Sequence, residues 1–174
     1  MAEISVAHPF GCERLTMKAA TVNEIKKELE GLDPESTQAL CLRLARFKKD
    51  NKELLTYLLF EAHDEAGYVE SVKREITEQF EEIPNLTVYY VKKSLRRILR
   101  VVNKQIKYSG VPATELTLRI HFCQQIKESA IPIDKSAVLV NLFQQQLKKI
   151  DQVLAKLPED LRFDYRSEIE NLTL

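Results

Sequence analysis

Apolar residues recur every three to four positions along almost the whole chain from Thr21 onward, which is the spacing of one helix face. Residues that begin or end helices separate these periodic runs. The 174 residues include only 4 Gly and 6 Pro, too few for the many tight turns of an all-β protein. The pattern predicts an all-α fold of about eight helices, packed as antiparallel helical hairpins in a bundle or a short solenoid.

Capping residues predict where the first helices begin and end. Three residue pairs mark predicted helix starts: Thr21 with Glu24, Asp33 with Pro34, and Asp50 with Glu53. In each pair the first side chain can accept a hydrogen bond from an early backbone N–H of the helix. Proline suits the first helical position because no N–H is needed there. Glycine predicts two ends. We expect Gly31 in the left-handed conformation after the first helix, and we expect the third helix to end near Gly67.

Proline, glycine and polar caps divide the rest of the chain. The predicted boundary residues are Pro84 and Asn85 between the fourth and fifth helices, Gly110 and Pro112 between the fifth and sixth, Asp134 before the seventh, and Pro158 before the eighth. The fifth helix has an apolar stripe of Val91, Leu95, Ile98, Val102 and Ile106. The sixth has Leu116, Ile120, Cys123 and Ile126. The seventh has Val140, Phe143, Leu147, Ile150, Leu154 and Leu157, with Gln144, Gln145 and Gln146 outside the stripe.

The first twenty residues differ from the rest because MAEISVAHPFGCERLT has no helical period. We expect residues 1–20 to be a disordered or mis-started N-terminal extension, and residues 21–174 to form a single helical domain. The sequence has no run of ~20 apolar residues and no signal-peptide pattern, so we predict a cytoplasmic protein without a membrane partner. Cys12, Cys41 and Cys123 are widely spaced, and we interpret the last two as reduced core residues.

The motifs of common enzyme classes are missing from the sequence. No HExxH, CxxC, GxSxG or Walker motif is present. We expect His63 at a solvated helix end, and His121 half-buried on a different helix face from Cys123. We therefore predict no enzyme activity, no catalytic residue, no metal and no cofactor. An enzyme built from dispersed carboxylates stays open as an alternative, and it needs a polar pocket where acids with altered pKa values converge.

The fifth helix has the one pronounced charge pattern. Between Leu86 and Gly110 there are seven cations and no acid. Six of these cations centre about 170° around the helix from its apolar stripe. They define a candidate binding face: Lys93, Arg96, Arg97, Arg100, Lys104 and Lys107. The preceding stretch, 61–82, has eight acidic and two basic residues. These charged residues also lie opposite the apolar stripe of their own helix. We therefore expect only rim groups such as Lys92 and Arg97 to pair across this hairpin.

These observations support two hypotheses for function. The first is a non-catalytic helical protein-interaction or adaptor module that binds an unidentified protein. The alternative is a nucleic-acid-binding protein in which the basic face over residues 91–107 contacts phosphates, flanked by Tyr89, Tyr90 and Tyr108. A basic helix that only keeps the protein in solution is the remaining interpretation. The heptad-like spacing of the seventh helix covers too few repeats for a stable coiled coil, so we expect a monomer or a weak homodimer.

The order of segments resembles that of an uncharacterised bacterial family of small all-helical proteins. The segments are VNEIKKELEGL, FKKDNKELLTYLL, KKSLRRILRVVNKQIKYSGV, LVNLFQQQLKKIDQVL and DLRFDYRSEIENL. This resemblance covers nearly the whole chain from Thr21 and implies a helical fold without an assigned activity. The opening TVNEIKKELEGL with LCLRLARF is also similar to the SAP DNA-binding motif, although it lacks the glycine-bearing turn and the basic turn cluster of that motif.

Overall fold

The computed structural model describes residues 19–83, 87–129 and 131–172. These residues form eight α-helices, one π-helical segment and one 3-10 segment, and they contain no strand, which confirms the predicted all-α fold. The chain divides into two compact units, Met1–Leu44 and Ala45–Leu174. The predicted extension lies outside the described residues except for positions 19 and 20, and so do the predicted boundary residues Pro84 and Asn85.

The first unit contains α1 (Val22–Glu30) and most of α2 (Pro34–Phe47). α1 begins at the predicted capping box, where the Thr21 backbone N donates to Glu24 Oε2 at 2.7 Å and the Glu24 N donates to Thr21 Oγ1 at 3.3 Å. The Ser36 N donates to Asp33 Oδ1 at 2.8 Å, which confirms Asp33 as the start of α2. Both starts depend only on residues three positions apart, so the sequence was sufficient to predict them.

Two predictions for the first unit were wrong. Gly31 has φ −89° and ψ −3°, a right-handed conformation, and its N donates to Glu28 O at 3.3 Å. Cys41 is exposed rather than part of a core. Two short helices have too little apolar surface to enclose a side chain, and none of the residues of α1 and α2 is buried.

The second unit contains the other six α-helices, with α6 at its centre. They are α3 (Lys49–Thr56), α4 (Glu65–Glu81), α5 (Val88–Ser109), α6 (Pro112–Glu128), α7 (Ala137–Leu154) and α8 (Glu159–Glu170). A π-helical segment, Tyr57–Glu61, follows α3, and a 3-10 segment, Ile133–Lys135, precedes α7. α6 packs against α4, α5 and α7, and α4 also packs against α5. These contacts form a helical bundle.

The central position of α6 explains why it buries more than the predicted stripe. In addition to the four predicted residues it buries Thr114, Leu118, Arg119 and Phe122. A helix enclosed on three sides needs apolar residues around most of its circumference.

The stripe predicted for α5 is buried in full: Val91, Leu95, Ile98, Val102 and Ile106. Each such side chain contributes about 1.5–3 kcal/mol when it is fully buried. Gly110 ends α5 as predicted, with φ 67° in the left-handed region, and Pro112 occupies the start of α6 as predicted. The rotation of α5 about its own axis is therefore fixed by its inner face.

The start of α3 differs from the prediction. Lys48 is the N-cap, and no side-chain cap bond is present among the described residues. Glu53, predicted to form a box with Asp50, instead accepts a hydrogen bond from Lys104 of α5 at 2.7 Å. The carboxylate of Glu53 pairs with a cation on a neighbouring helix instead of a backbone N–H of its own helix, so tertiary packing overrode the local signal.

The end of α3 was also predicted wrongly. The helix passes into the π-helical segment, where the Ala62 N donates to Tyr57 O at 2.9 Å. Gly67 lies in the first turn of α4, and its N donates to Asp64 Oδ1 at 3.0 Å. A Cβ at Gly67 would collide with the Asp64 carboxylate, so this glycine permits a cap instead of ending a helix.

α7 begins later and faces differently than predicted. Asp134 lies in the 3-10 segment, and Ser136 is the N-cap of α7. The buried residues of α7 are Leu139, Leu142, Phe143, Gln146, Ile150 and Val153, whereas the predicted Val140, Leu147 and Leu154 are only partly buried. Gln146 is 1 % exposed because its side-chain oxygen accepts a hydrogen bond from a buried arginine of α6, and this pairing turns a different face of α7 toward the core.

Candidate partner-binding surface

The outer face of α5 holds the six predicted binding residues in two different environments. Lys93, Arg96, Arg97, Arg100 and Lys107 are exposed, and Lys104 is partly buried. Their spacing along α5 keeps them away from the core because the opposite face is fully buried. The structure therefore places five of the six in contact with solvent and turns the sixth toward a neighbouring helix.

Two of the six are paired with carboxylates. Lys104 Nζ lies 2.7 Å from Glu53 Oε2 and 6.0 Å from the centre of the Tyr108 ring. Arg97 Nη2 lies 3.5 Å from Glu82 Oε2, and both of these side chains are mostly exposed. The Arg97 contact is one of the two pairings across α4 and α5 that were predicted, whereas Lys92, the other residue predicted to pair, forms no ion pair among the described residues. Such an exposed pair contributes about 0–1 kcal/mol.

A shallow concave surface runs along one flank of α5, and we call it the α5 groove. Its volume is about 660 Å³, and its lining residues are Tyr89, Lys92, Lys93, Arg96, Leu99, Arg100 and Asn103. These positions recur every three to four residues, so they form one stripe along the helix. The groove brings together three predicted residues, Lys93, Arg96 and Arg100, and leaves Arg97, Lys104 and Lys107 out of its lining.

Sequence reasoning missed three lining residues as parts of a site: Lys92, Leu99 and Asn103. The signal was present in the spacing, because Lys92, Arg96, Leu99 and Asn103 follow one another at steps of four, three and four. The predicted binding face is centred directly opposite the apolar stripe of α5. The groove lies on the flank, where partly buried residues such as Leu99 supply its apolar part.

The groove contains four cations: Lys92, Lys93, Arg96 and Arg100. None of them forms an ion pair with a carboxylate in the part of the chain that the structure describes. The Arg100 Nε donates to the Arg96 carbonyl oxygen at 3.4 Å, a bond within the helix that neutralises neither guanidinium charge. The groove is therefore a concentrated patch of positive charge.

A buried arginine network fixes the Asn103 end of the groove. Arg119 of α6 is 5 % exposed, and its Nη1 donates to Asn103 Oδ1 at 3.2 Å and to Gln146 Oε1 at 2.8 Å. Its Nε donates to Glu115 Oε1 at 2.8 Å. The amide of Asn103 is thus held by a group that also joins α6 and α7. This network gives the groove a rigid end.

A second polar region lies on the other side of α5. The Glu65 carboxylate accepts hydrogen bonds from three hydroxyls, those of Tyr57 at 2.7 Å, Thr114 at 2.5 Å and Ser109. Burial raises the pKa of Glu65, but the three hydroxyl donors lower it by more, so the pKa lies below its ordinary value. The bonds of Lys104 and then of Tyr108 likewise lower the pKa of Glu53. Both carboxylates are therefore held in the charged form.

His121 and Cys123 have packing roles. His121 is partly buried as predicted, and its Nε2 lies 3.1 Å from Thr77 Oγ1 and 3.1 Å from Lys73 O. Burial lowers its pKa, which favours the neutral ring. Cys123 is buried as predicted, and burial raises the pKa of its thiol to about 12. His63 is exposed, as predicted for a solvated helix end.

Among the described residues there is no group of three His, Cys, Asp or Glu side chains placed to hold a metal ion. None of the described helices combines the length and apolar character that crossing a membrane requires. In comparisons with known proteins, no family model, curated protein or solved structure matches this chain.

Proposed function

We propose that this chain is a non-catalytic helical interaction module that binds a protein partner through the α5 groove. The observation that supports this proposal is the set of four groove cations without a carboxylate partner in the described part of the chain. They stand on a helix whose rotation is fixed by five buried residues. A partner would meet the same charges in the same positions each time.

The charges of the groove oppose helix formation. Lys92, Arg96 and Arg100 are successive i, i+4 neighbours, and like charges at that spacing cost about 0.2–0.5 kcal/mol per pair. An acidic partner would offset this repulsion. Leu99 and Tyr89 add apolar surface beside the cations, and protein interfaces commonly combine aromatic side chains with arginine.

The proposal is tested by reversing charges in the groove of the full chain. In the variant Lys93→Glu, Arg96→Glu, Arg100→Glu, we expect the loss of partners that wild type captures from cell extract, measured by quantitative mass spectrometry. The matched control is Lys148→Glu, Lys149→Glu, Lys156→Glu, which changes the net charge equally at exposed positions of α7 and of the turn after it. The control should retain those partners.

An identical partner list for wild type and the groove variant contradicts the proposal. Loss of the same partners from both variants would mean that only overall charge matters, and this also contradicts a specific surface. Circular dichroism spectra of all three proteins must agree, because the exposed positions chosen should leave the helices intact.

Nucleic-acid binding is the second candidate, and one observation favours it. Tyr89 is 63 % exposed at the end of the α5 groove, where a base could stack on its ring. The SAP-like opening makes DNA the nucleic acid to test first. Phosphate contacts by four cations would make the affinity fall steeply with salt. A gel-shift series with single- and double-stranded DNA tests this candidate, and no binding at about 50 mM salt rules it out.

Neither Glu53 nor Glu65 is suited to act as a general acid at neutral pH. A general acid needs a carboxyl whose pKa is raised, whereas both of these pKa values are lowered.

We place the module in the cytoplasm as a monomer or weak homodimer, in keeping with the free thiols of Cys41 and Cys123. The resemblance to a bacterial helical family assigns no activity that competes with this proposal.

A further inference from the structure

We infer that the segment bound by the α5 groove is an acidic amphipathic helix of the partner protein. This inference rests on the proposed function, since it specifies what the groove binds. The lining runs from Tyr89 to Asn103 along a single helix. At 1.5 Å per residue this is a length of about 21 Å, which matches a partner helix of about four turns lying alongside α5.

The spacing of the cations favours a helix as the partner. Lys92, Arg96 and Arg100 follow each other at four-residue steps, which corresponds to about 6 Å along the axis. Acidic residues at i, i+4 and i+8 of a second helix repeat at the same distance. One carboxylate can therefore face each cation, in a regular series of opposite charges.

A nucleic-acid strand fits this spacing less well. A stacked strand carries one phosphate charge per about 3.4 Å, so each cation would face roughly two phosphates. Surfaces that bind single strands also provide aromatic rings for successive bases. Tyr89 is the one aromatic residue among the described lining residues of the groove, and it lies at one end.

The apolar part of the groove suits the apolar residues that lie beside the acidic row of an amphipathic helix. Leu99 is partly buried against the core, and it lies between Arg96 and Arg100 along the lining. The aliphatic parts of Lys92 and Arg96 extend this apolar surface while their charged ends stay in water. A partner helix with leucines next to its acidic row would contact both parts at once.

Binding of synthetic peptides to the full chain tests the inference. The probe is a sixteen-residue labelled peptide with Glu at i, i+4, i+8 and i+12 and Leu at the adjacent i+3 and i+7 positions. Its control is a scrambled peptide of the same composition, and the third probe is a single-stranded oligonucleotide of equal charge. Affinity is measured by fluorescence anisotropy at about 50 mM salt, where exposed charge pairs are only partly screened.

We expect the ordered peptide to bind at least about 10-fold more tightly than the scrambled peptide and the oligonucleotide, since about 1.4 kcal/mol from the matched pairs corresponds to that factor. Arg96→Glu with Arg100→Glu should weaken its binding by a similar factor, and a peptide with Lys in place of Glu should bind this variant more tightly than wild type. Lys148→Glu with Lys149→Glu should leave the affinity unchanged.

Three results would overturn the inference. Equal binding of all three probes would mean that the groove takes any polyanion, which leaves the proposed function standing. Tighter binding of the oligonucleotide would favour the nucleic-acid candidate instead. No binding of any probe to wild type would count against both the inference and the proposed function.

Discussion

The guanidinium group of Arg119 connects three helices from inside the second unit. It is 5 % exposed, and its acceptors are Glu115 on its own helix, Asn103 on α5 and Gln146 on α7. A buried charge is costly unless its partners satisfy it. The three hydrogen bonds of Arg119, together with the ion-pair contact of its Nη2 with Glu115 Oε1 at 2.7 Å, meet this requirement, and they make the relative positions of α5, α6 and α7 specific.

We expect Arg119→Met to lower the free energy of unfolding by about 2 kcal/mol, because it leaves the buried amide of Gln146 without a donor. Urea unfolding followed by circular dichroism measures the change. Arg74→Met is the matched control at an exposed position of α4, and it should change stability by under about 0.5 kcal/mol. Equal effects of the two substitutions would contradict a structural role for the network.

The carboxylate of Glu65 makes stability depend on pH. Its three hydroxyl donors hold its folded pKa below the ordinary value of 4.5. A group with a lowered folded pKa stabilises the folded state fully above its unfolded pKa, and this contribution disappears as the pH falls through the folded pKa. Stability from Glu65 should therefore be present at neutral pH and absent in strong acid.

The substitution Glu65→Gln isolates this contribution. At pH 7 we expect the variant to be less stable than wild type, and the difference should shrink as the pH falls from 4.5 toward the lower folded pKa. The measurement is the urea midpoint of both proteins between pH 7 and 3. A difference that stays constant over this range would show that the charge of Glu65 is unimportant.

At the scale of elements, two glycines that look alike in the sequence have different roles. Gly110 has φ 67°, whereas Gly31 has φ −89°. Only the first needs a conformation that other residues avoid. Gly31 was predicted to be left-handed and Gly110 only to mark a helix end, because the residue type alone does not reveal how the chain leaves the helix.

Gly110→Ala should therefore lower stability by about 1 kcal/mol, entirely through the backbone, since a Cβ there meets no atom within 4 Å. Gly31→Ala should be neutral or slightly stabilising, because its conformation suits alanine. Thermal unfolding of the two variants beside wild type compares them directly. A greater loss for Gly31→Ala would contradict this assignment.

A feature of a helix could be predicted from the sequence when the residues that determine it lie close together in the chain. The α5 stripe and the Thr21 box follow from residues within a turn or two of each other, and the sequence predicted both. The face of α7 depends on Arg119, which lies 27 positions before its partner Gln146. The π-helical end of α3 likewise has its Tyr57 hydroxyl bonded to Glu65 of another helix.

The same distinction applies to the candidate surface. The sequence identified Lys93, Arg96 and Arg100 because helical periodicity places them away from the apolar stripe. It did not separate them from Lys104, whose partner Glu53 lies 51 positions earlier in the chain. The partial burial of Leu99 in the groove depends on the core formed with the neighbouring helices, and no local pattern encodes it.

At the scale of the whole molecule, the two units differ in what they bury. Every buried residue that the structure describes lies at Tyr57 or later, in the second unit. The apolar contacts that oppose unfolding are therefore concentrated there. The second unit has the burial expected of an independently stable fold.

We expect a chain that begins at Lys48 to unfold cooperatively, with a Tm within about 3 °C of the full chain, since less than about 1 kcal/mol should be lost. Differential scanning calorimetry of both proteins measures this. A large fall in Tm, or loss of a cooperative transition, would mean that residues 1–47 contribute to the core of the folded protein.

The order of the helix contacts also has a kinetic consequence. Most of the packing joins helices that are neighbours in the chain, α4 with α5, α5 with α6 and α6 with α7, while the contact of α4 with α6 skips one helix. Chains with such local contacts close small loops and fold quickly. The outer flank of α5 would acquire its final shape once α5, α6 and α7 have come together, since Arg119 of α6 joins Asn103 of α5 to Gln146 of α7.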